Sequence, residues 1–217
     1  MHSLREVEYA ASGCVLCMSC SKPGNVPLVD GRTQVVFGSG SQRALLMFIG
    51  EAPGKDEDLA GEPFAGKGLN QAGAILDQRL EAIGLLRPEI YVSNVVKCRP
   101  TKVGKGDSPK NRAPEEGEIR ACRPWIEEEV MFVQPQLVVP LGVPAAEYVL
   151  GDRVLMKDVH GQVLQGEGST WSGRKIVPTY HPAGIRGSEE LRQMFADDFE
   201  TIRRVYKDIV AGLASSG

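Results

Sequence analysis

No apolar run among the 217 residues approaches the roughly 20 that a membrane helix requires. The opening MHSLREVEYAAS carries no apolar stretch of the secretory type. Both absences predict a cytoplasmic protein with no membrane partner. Aromatic residues are scarce at 6%, and only 3 histidines occur. Nor is there an excess of positive charge: 25 Lys and Arg stand against 28 Asp and Glu, for a net charge of −3. That balance excludes a protein that grips nucleic acid by bulk positive charge. It leaves room for a local basic patch, because clustering matters more than the sum. What remains is ordinary globular composition, 42% hydrophobic and 24% charged. The length suits one domain, taken as residues 1–217, with a substantial core.

The 5 cysteines are Cys14, Cys17, Cys20, Cys98 and Cys122. An odd number in a cytoplasmic chain fits a disulfide framework poorly. Cys14-Val-Leu-Cys17-Met-Ser-Cys20 contains two overlapping C-x-x-C units, a spacing that points two thiolates at one centre. No second C-x-x-C and no nearby histidine follow, so a zinc finger or ribbon is not matched. Cys98 and Cys122 could complete a four-thiolate site for zinc or an iron–sulfur cluster. A redox pair or buried free thiols are the competing readings.

Along the chain, residues 1–12 read as a short helix and 21–31 as loop. Apolar runs at 43–50, 90–96, 136–141 and 175–180 read as buried strands. Helical spacing appears at 71–84, 114–133, from 142 onward, and at 191–213. The stretches 51–68 and 101–114 read as loops. Strands alternating with helices predict a parallel sheet covered on both faces, with ligands at the carboxyl ends of the strands. Those ends carry Gly50-Glu51, Asn94, Gly142 and His181.

His181, placed directly after a strand and before Pro182, is suited to donate a hydrogen bond to a developing anion, or else caps a turn. Asn94 sits in an apolar strand pattern where an amide is disfavoured and must be paired. Its donor and acceptor, side by side, suit the edge of a pyrimidine. Glu51, Asp56, Glu57 and Asp58 form an acidic group that is either a solvated loop or a contributor to the cleft. From Lys97 to Arg112, six cations stand against the single acid Asp107, a segment able to neutralise phosphates or to remain a solvated loop.

The ordered stretches CVLC, GRTQVVFGSG, GEAPGKDEDLAGEPFAGKG, IYVSNVVKCRP, NRAPEEGEIRACRPW, VVPLG and PTYHPA resemble the uracil-DNA glycosylases of the iron–sulfur type, family 4. They span roughly four-fifths of the chain. The resemblance implies a three-layer α/β/α sandwich around a central four-stranded, mainly parallel sheet, with the cysteine segment 14–20 on its flank. It also implies a [4Fe–4S] cluster on Cys14, Cys17, Cys98 and Cys122, with Cys20 spare or standing in for Cys14. Phe64 would stack on the flipped uracil and Asn94 would read its polar edge. Glu57 would crowd the thymine methyl position. His181 would bond uracil O2, and Glu51 and Ala52 would lie near the attacking water. The loop carrying Ile185 and Arg186 would enter the DNA. The implied protein is a monomer that acts on uracil-containing DNA, single- or double-stranded, and leaves an abasic site. A related subfamily traps uracil-DNA through a histidine in the loop after KCRP. That loop holds no histidine here, so turnover is expected. The competing reading is an iron–sulfur protein that binds uracil-DNA without turnover.

Overall fold

The computed structural model describes residues 3–22, 25–66, 68, 71–104 and 108–215. α1 (Leu4–Ser12) is capped by the Ser3 side chain, which accepts from the Glu6 amide. After the cysteine run come β1 (Asn25–Val26), α2 (Leu28–Gly31), β2 (Ser39–Gly40) and β3 (Leu46–Gly50). α3 (Lys55–Ala60) and α4 (Ala72–Ala82) follow, then a 3-10 turn at Arg87–Glu89 and β4 (Tyr91–Asn94). β5 (Thr101–Val103) and β6 (Pro109–Asn111) lead into α5 (Glu116–Val133). The chain continues through β7 (Leu137–Pro140), α6 (Val143–Leu150), α7 (Met156–Val159), β8 (Leu164–Gln165), α8 (Gly168–Trp171) and β9 (Lys175–Ile176). The 26-residue α9 (Glu189–Ala214) is last.

The main sheet runs β2-β4-β3-β7-β9-β8. Its four inner strands are parallel, and β2 and β8 pair antiparallel at the edges. The expected four-stranded parallel sheet is therefore present, with a short strand added on each side. β3 is buried throughout, and its side chains alternate between two cores. Leu46 and Phe48 pack with Leu76 and Leu80 of α4 and Phe195 and Phe199 of α9. Met47 and Ile49 join the core containing Val7 of α1, Ile126 and Val130 of α5, and Ala145 of α6. Helices thus cover both faces. Strand order reverses at β3, with β4 on one side and β7 on the other, which makes a crevice at the carboxyl ends. Among the described residues no helix is long and apolar enough to cross a membrane.

Two segments read as loop are ordered elements. Residues 55–60 form α3, favoured by Gly54 at the cap and by Asp56, Glu57 and Asp58 in the first turn, where carboxylates meet the positive end of the helix. β5 and β6 form a hairpin that β1 extends to three strands, with residues 105–107 outside the described set. Its base is braced by Arg112, which donates to the carbonyls of Thr101 and Val26 and pairs with buried Glu118. A polar sequence becomes sheet here because the distant strand β1 and a buried carboxylate of α5 hold it.

Candidate active site and cysteine centre

The carboxyl ends of β3, β4 and the segment after β9 open onto one cavity of about 800 Å³. It is bordered by Glu51, Ala52, Glu57, Phe64, Asn94 and His181, every residue that the sequence placed around the base. Gly50 lies opposite Asn94 in the β3–β4 register. A Cβ on Gly50 would collide with Asn94 Oδ1 and come within 2.9 Å of the Phe64 ring, so only glycine lets the amide and the ring share this wall. Asn94 is 2% exposed, and its Nδ2 is a buried donor without a protein partner among the described residues. A native fold retains such a group where a ligand completes it.

His181 Nδ1 accepts from the Ala183 amide at 3.2 Å, which fixes Nε2 as the protonated nitrogen of a neutral ring. Burial, together with the nearby Arg186 charge, pushes its pKa down to about 4. The imidazole is thus a neutral donor at ordinary pH. Its ring lies 5.8 Å from that of Phe64. Burial alone pushes the Glu51 carboxyl above its usual range, with no neighbouring charge to offset it.

Phe64 has a left-handed backbone, φ 56°, an uncommon state for a bulky residue that its surroundings must enforce. Its amide donates to Glu57 Oε1 at 2.7 Å, and the other Glu57 oxygen accepts from the Gly54 amide at 2.7 Å. Its carbonyl accepts from Arg87, whose guanidinium sits 6.0 Å from the ring centroid and also bonds Asp77. Glu57 and Arg87 therefore hold the aromatic platform from both sides. The Arg87 contribution carried no sequence signal, since a lone arginine before a proline reads as surface.

Away from this cavity, Cys14, Cys17, Cys98 and Cys122 border one small pocket together with Lys97 and Trp125. Three of the sulfurs accept N–H bonds: Cys14 from Trp125 Nε1 at 3.1 Å, Cys98 from Arg32 at 3.1 Å, and Cys122 from the Lys97 amide at 3.2 Å. Cys20 is not in this set. Its Cβ lies beside Gly117, 3.4 Å from the position a side chain there would take. Among the described residues no group of three or more His, Cys, Asp or Glu is spaced to hold a single metal ion.

The superfamily profile for uracil DNA glycosylases matches residues 37–205. The chain is 34% identical to a type-4 uracil-DNA glycosylase of Sulfurisphaera tokodaii, over 94% of this chain and 86% of that one. It is 35% identical to a type-4 uracil-DNA glycosylase of Archaeoglobus fulgidus, over 85% of this chain and 87% of the other. The chain belongs to the uracil-DNA glycosylase superfamily, in its type-4 branch. The fold agrees with the crystal structure of Pedobacter heparinus SMUG2, with a TM-score of 0.54, 16% identity and 78% and 77% of the two chains covered.

Two expectations for this glycosylase do not survive the geometry. Ile185, expected to enter DNA, is 2% exposed and packed in the core beneath α9. Only Arg186 of that pair is exposed, its Nε donating to the Ala183 carbonyl at 3.0 Å. Half of the expected cationic run is paired inside the protein. Lys97 pairs with Glu129 at 2.5 Å, Arg112 with Glu118 at 2.6 Å, and Arg99 donates to Asn111 at 2.7 Å. Lys102 and Lys110 remain at the surface.

Proposed function

We propose that this glycosylase flips uracil out of DNA, single- or double-stranded, and hydrolyses its N-glycosidic bond. It leaves an abasic site for excision repair in the cytoplasm. The observation that carries this reading is the pairing, in one cavity, of an unpartnered Asn94 amide with a neutral His181 that presents Nε2–H. Bond cleavage leaves negative charge on the uracil ring, and a preorganised donor at O2 stabilises it as it forms. Asn94 offers a donor and an acceptor to the polar edge of the base, and Phe64 supplies a face for stacking. Glu57, with both oxygens held by backbone amides, is a fixed wall where a 5-methyl group would lie. Glu51 and Ala52 face the space for the attacking water, where ionised Glu51 orients or deprotonates it. No lysine borders the cavity among the described residues, which favours hydrolysis over a Schiff base and strand cutting.

The test is release of free uracil from a labelled oligonucleotide that stays intact until alkali cleaves the abasic site. Borohydride trapping of a covalent adduct, or tight binding without release, would sink the reading. The pH profile adds a second check. Protonation of Glu51 removes the water-directing carboxylate, so the rate should fall on acidification with a midpoint above the ordinary glutamate value of 4.5. No inflection is expected near the ordinary histidine value of 6.5, because His181 stays neutral down to about 4. The acid limb should vanish in Glu51→Gln.

The cysteine centre fits a [4Fe–4S] cluster on Cys14, Cys17, Cys98 and Cys122. Support comes from four cysteines around one pocket and N–H donors aimed at three of their sulfurs. Burial pushes the Cys17 and Cys122 thiols up to about 12, so a bound metal centre would be what holds them as thiolates. When bound, the cluster would cross-link the N-terminal segment, the loop after β4 and α5. Cys17→Ser and Cys122→Ser should lose iron and acid-labile sulfide, whereas Cys20→Ser should retain both. Zinc in place of iron, or iron loss in Cys20→Ser, would overturn the assignment.

A further inference from the structure

Burial of Ile185 leaves the loop after His181 without an apolar side chain free to enter the duplex. An exposed apolar group lies on the β5–β6 hairpin, whose base reaches the pocket. Asn111, at the base of this hairpin, borders the base cavity and pairs with Thr101. Two residues further out on the same face, Val103 pairs with Pro109, and Val103 is 62% exposed. Two residues of strand span roughly 7 Å, about two base steps. An apolar pair therefore stands on the hairpin two residues out from the Asn111 that borders the pocket. On the opposite face Lys102 lies directly across from Lys110. Like charges in that position repel, and among the described residues neither has an ion-pair partner. An anion such as a DNA phosphate relieves that repulsion.

We propose that this hairpin is the element that enters DNA beside the flipped uracil, with Val103 and Pro109 filling the vacated space and Lys102 and Lys110 holding the backbone. The proposal rests on the uracil-releasing reading above. A wedge matters only where a base must leave a stack, so the experiment compares two substrates. The full chain is tested in single turnover on uracil in a U:A duplex and in the same sequence single-stranded. Val103→Ser should slow release from the duplex about 10-fold and from the single strand less than about 2-fold, and Val103→Leu should restore the duplex rate. Lys102→Ala/Lys110→Ala should reduce the slope of log affinity against log salt by about 2, since each lost phosphate contact contributes about 0.9. A duplex-to-single-strand ratio in Val103→Ser equal to that of the wild type overturns the wedge. So does an equal loss on both substrates, which is what misfolding would give. An unchanged salt slope overturns the clamp. If the wild-type chain releases no uracil from either substrate, it is the glycosylase reading that fails and not the hairpin assignment.

Discussion

Replacing His181 with alanine is expected to slow single-turnover uracil release about 10²–10³-fold, the usual loss when one preorganised donor to a developing oxyanion is removed. The loss should fall on the rate and not on DNA affinity, because Nε2–H has little to stabilise until the glycosidic bond begins to break. Protein stability should change little, since the one side-chain hydrogen bond His181 makes among the described residues is the 3.2 Å bond from the Ala183 amide, inside a turn. Asn94→Ala differs in kind. It removes a buried donor that has no partner among the described residues, so the free protein is not weakened through a lost hydrogen bond. Its cost, about 10²-fold, should appear in both uracil affinity and rate, because the amide bonds the base before and during cleavage. Rate constants at saturating enzyme, with fluorescence anisotropy for DNA affinity, separate the two patterns. A loss below about 10-fold in His181→Ala would mean that the leaving uracil takes its stabilisation elsewhere, and the role assigned to the imidazole would have to be withdrawn.

The parts of this site that could be read from the sequence share one physical origin. Each is a polar or small residue that interrupts a run of buried apolar ones: Gly50 after LMFI, Asn94 in IYVSNVV, Gly142 after VVPL and His181 after IVPTY. Parallel strands buried on both faces make such interruptions conspicuous, and the fold gathers all the strand ends on one edge. What stayed hidden depends on partners in other elements of the fold. Lys97, Arg99 and Arg112 read as a solvated cationic run, yet Glu129 and Glu118 of α5 claim two of them. Those glutamates lie on the same stripe of α5 as Cys122, Ile126 and Val133, and each is fully buried, although a carboxylate is read as solvated by default. The β5–β6 hairpin was invisible for the same reason: its turn-rich polar sequence gains strand geometry only by pairing with β1 and by the brace of Arg112. Ile185 follows two small residues, and only the packing of α9 shows that it faces inward. The Glu57 contribution was half legible. Its place in the pocket wall was expected, but its hold on the Phe64 amide depends on a left-handed backbone that sequence periodicity does not encode.

Truncating Glu129 to alanine is expected to be the most destabilising of the substitutions considered, by about 3–5 kcal/mol, because it strands a buried ammonium. Lys97 is 1% exposed, and its Nζ donates to Glu129 Oε2 at 2.5 Å, to Ser93 Oγ at 2.6 Å and to the Asn94 carbonyl at 2.7 Å. Glu129 also accepts from the Ser93 hydroxyl at 2.6 Å and from the Gly38 amide at 2.7 Å. Every arm of this network ends on β4 or on the segment entering β2, so its loss loosens the strand that carries Asn94. For a chain of this size the melting temperature should fall on the order of 10 °C, measured by calorimetry on the full chain. The double variant Lys97→Met/Glu129→Leu should recover most of that loss, since a well-packed apolar pair can replace a buried ion pair at little cost. Uracil release should not recover with it. The Asn94 carbonyl loses its ammonium donor in the double variant, and the backbone that aims the amide into the pocket loses the contact that fixes it. Recovery of stability without recovery of rate identifies Lys97 as a positioning residue for Asn94. Recovery of both would reduce the pair to a stabilising contact, and failure to recover stability would mean that the core around β4 needs the charges themselves. The Lys97 amide also bonds Cys122 Sγ, so one residue touches both the cysteine centre and the strand that reads the base.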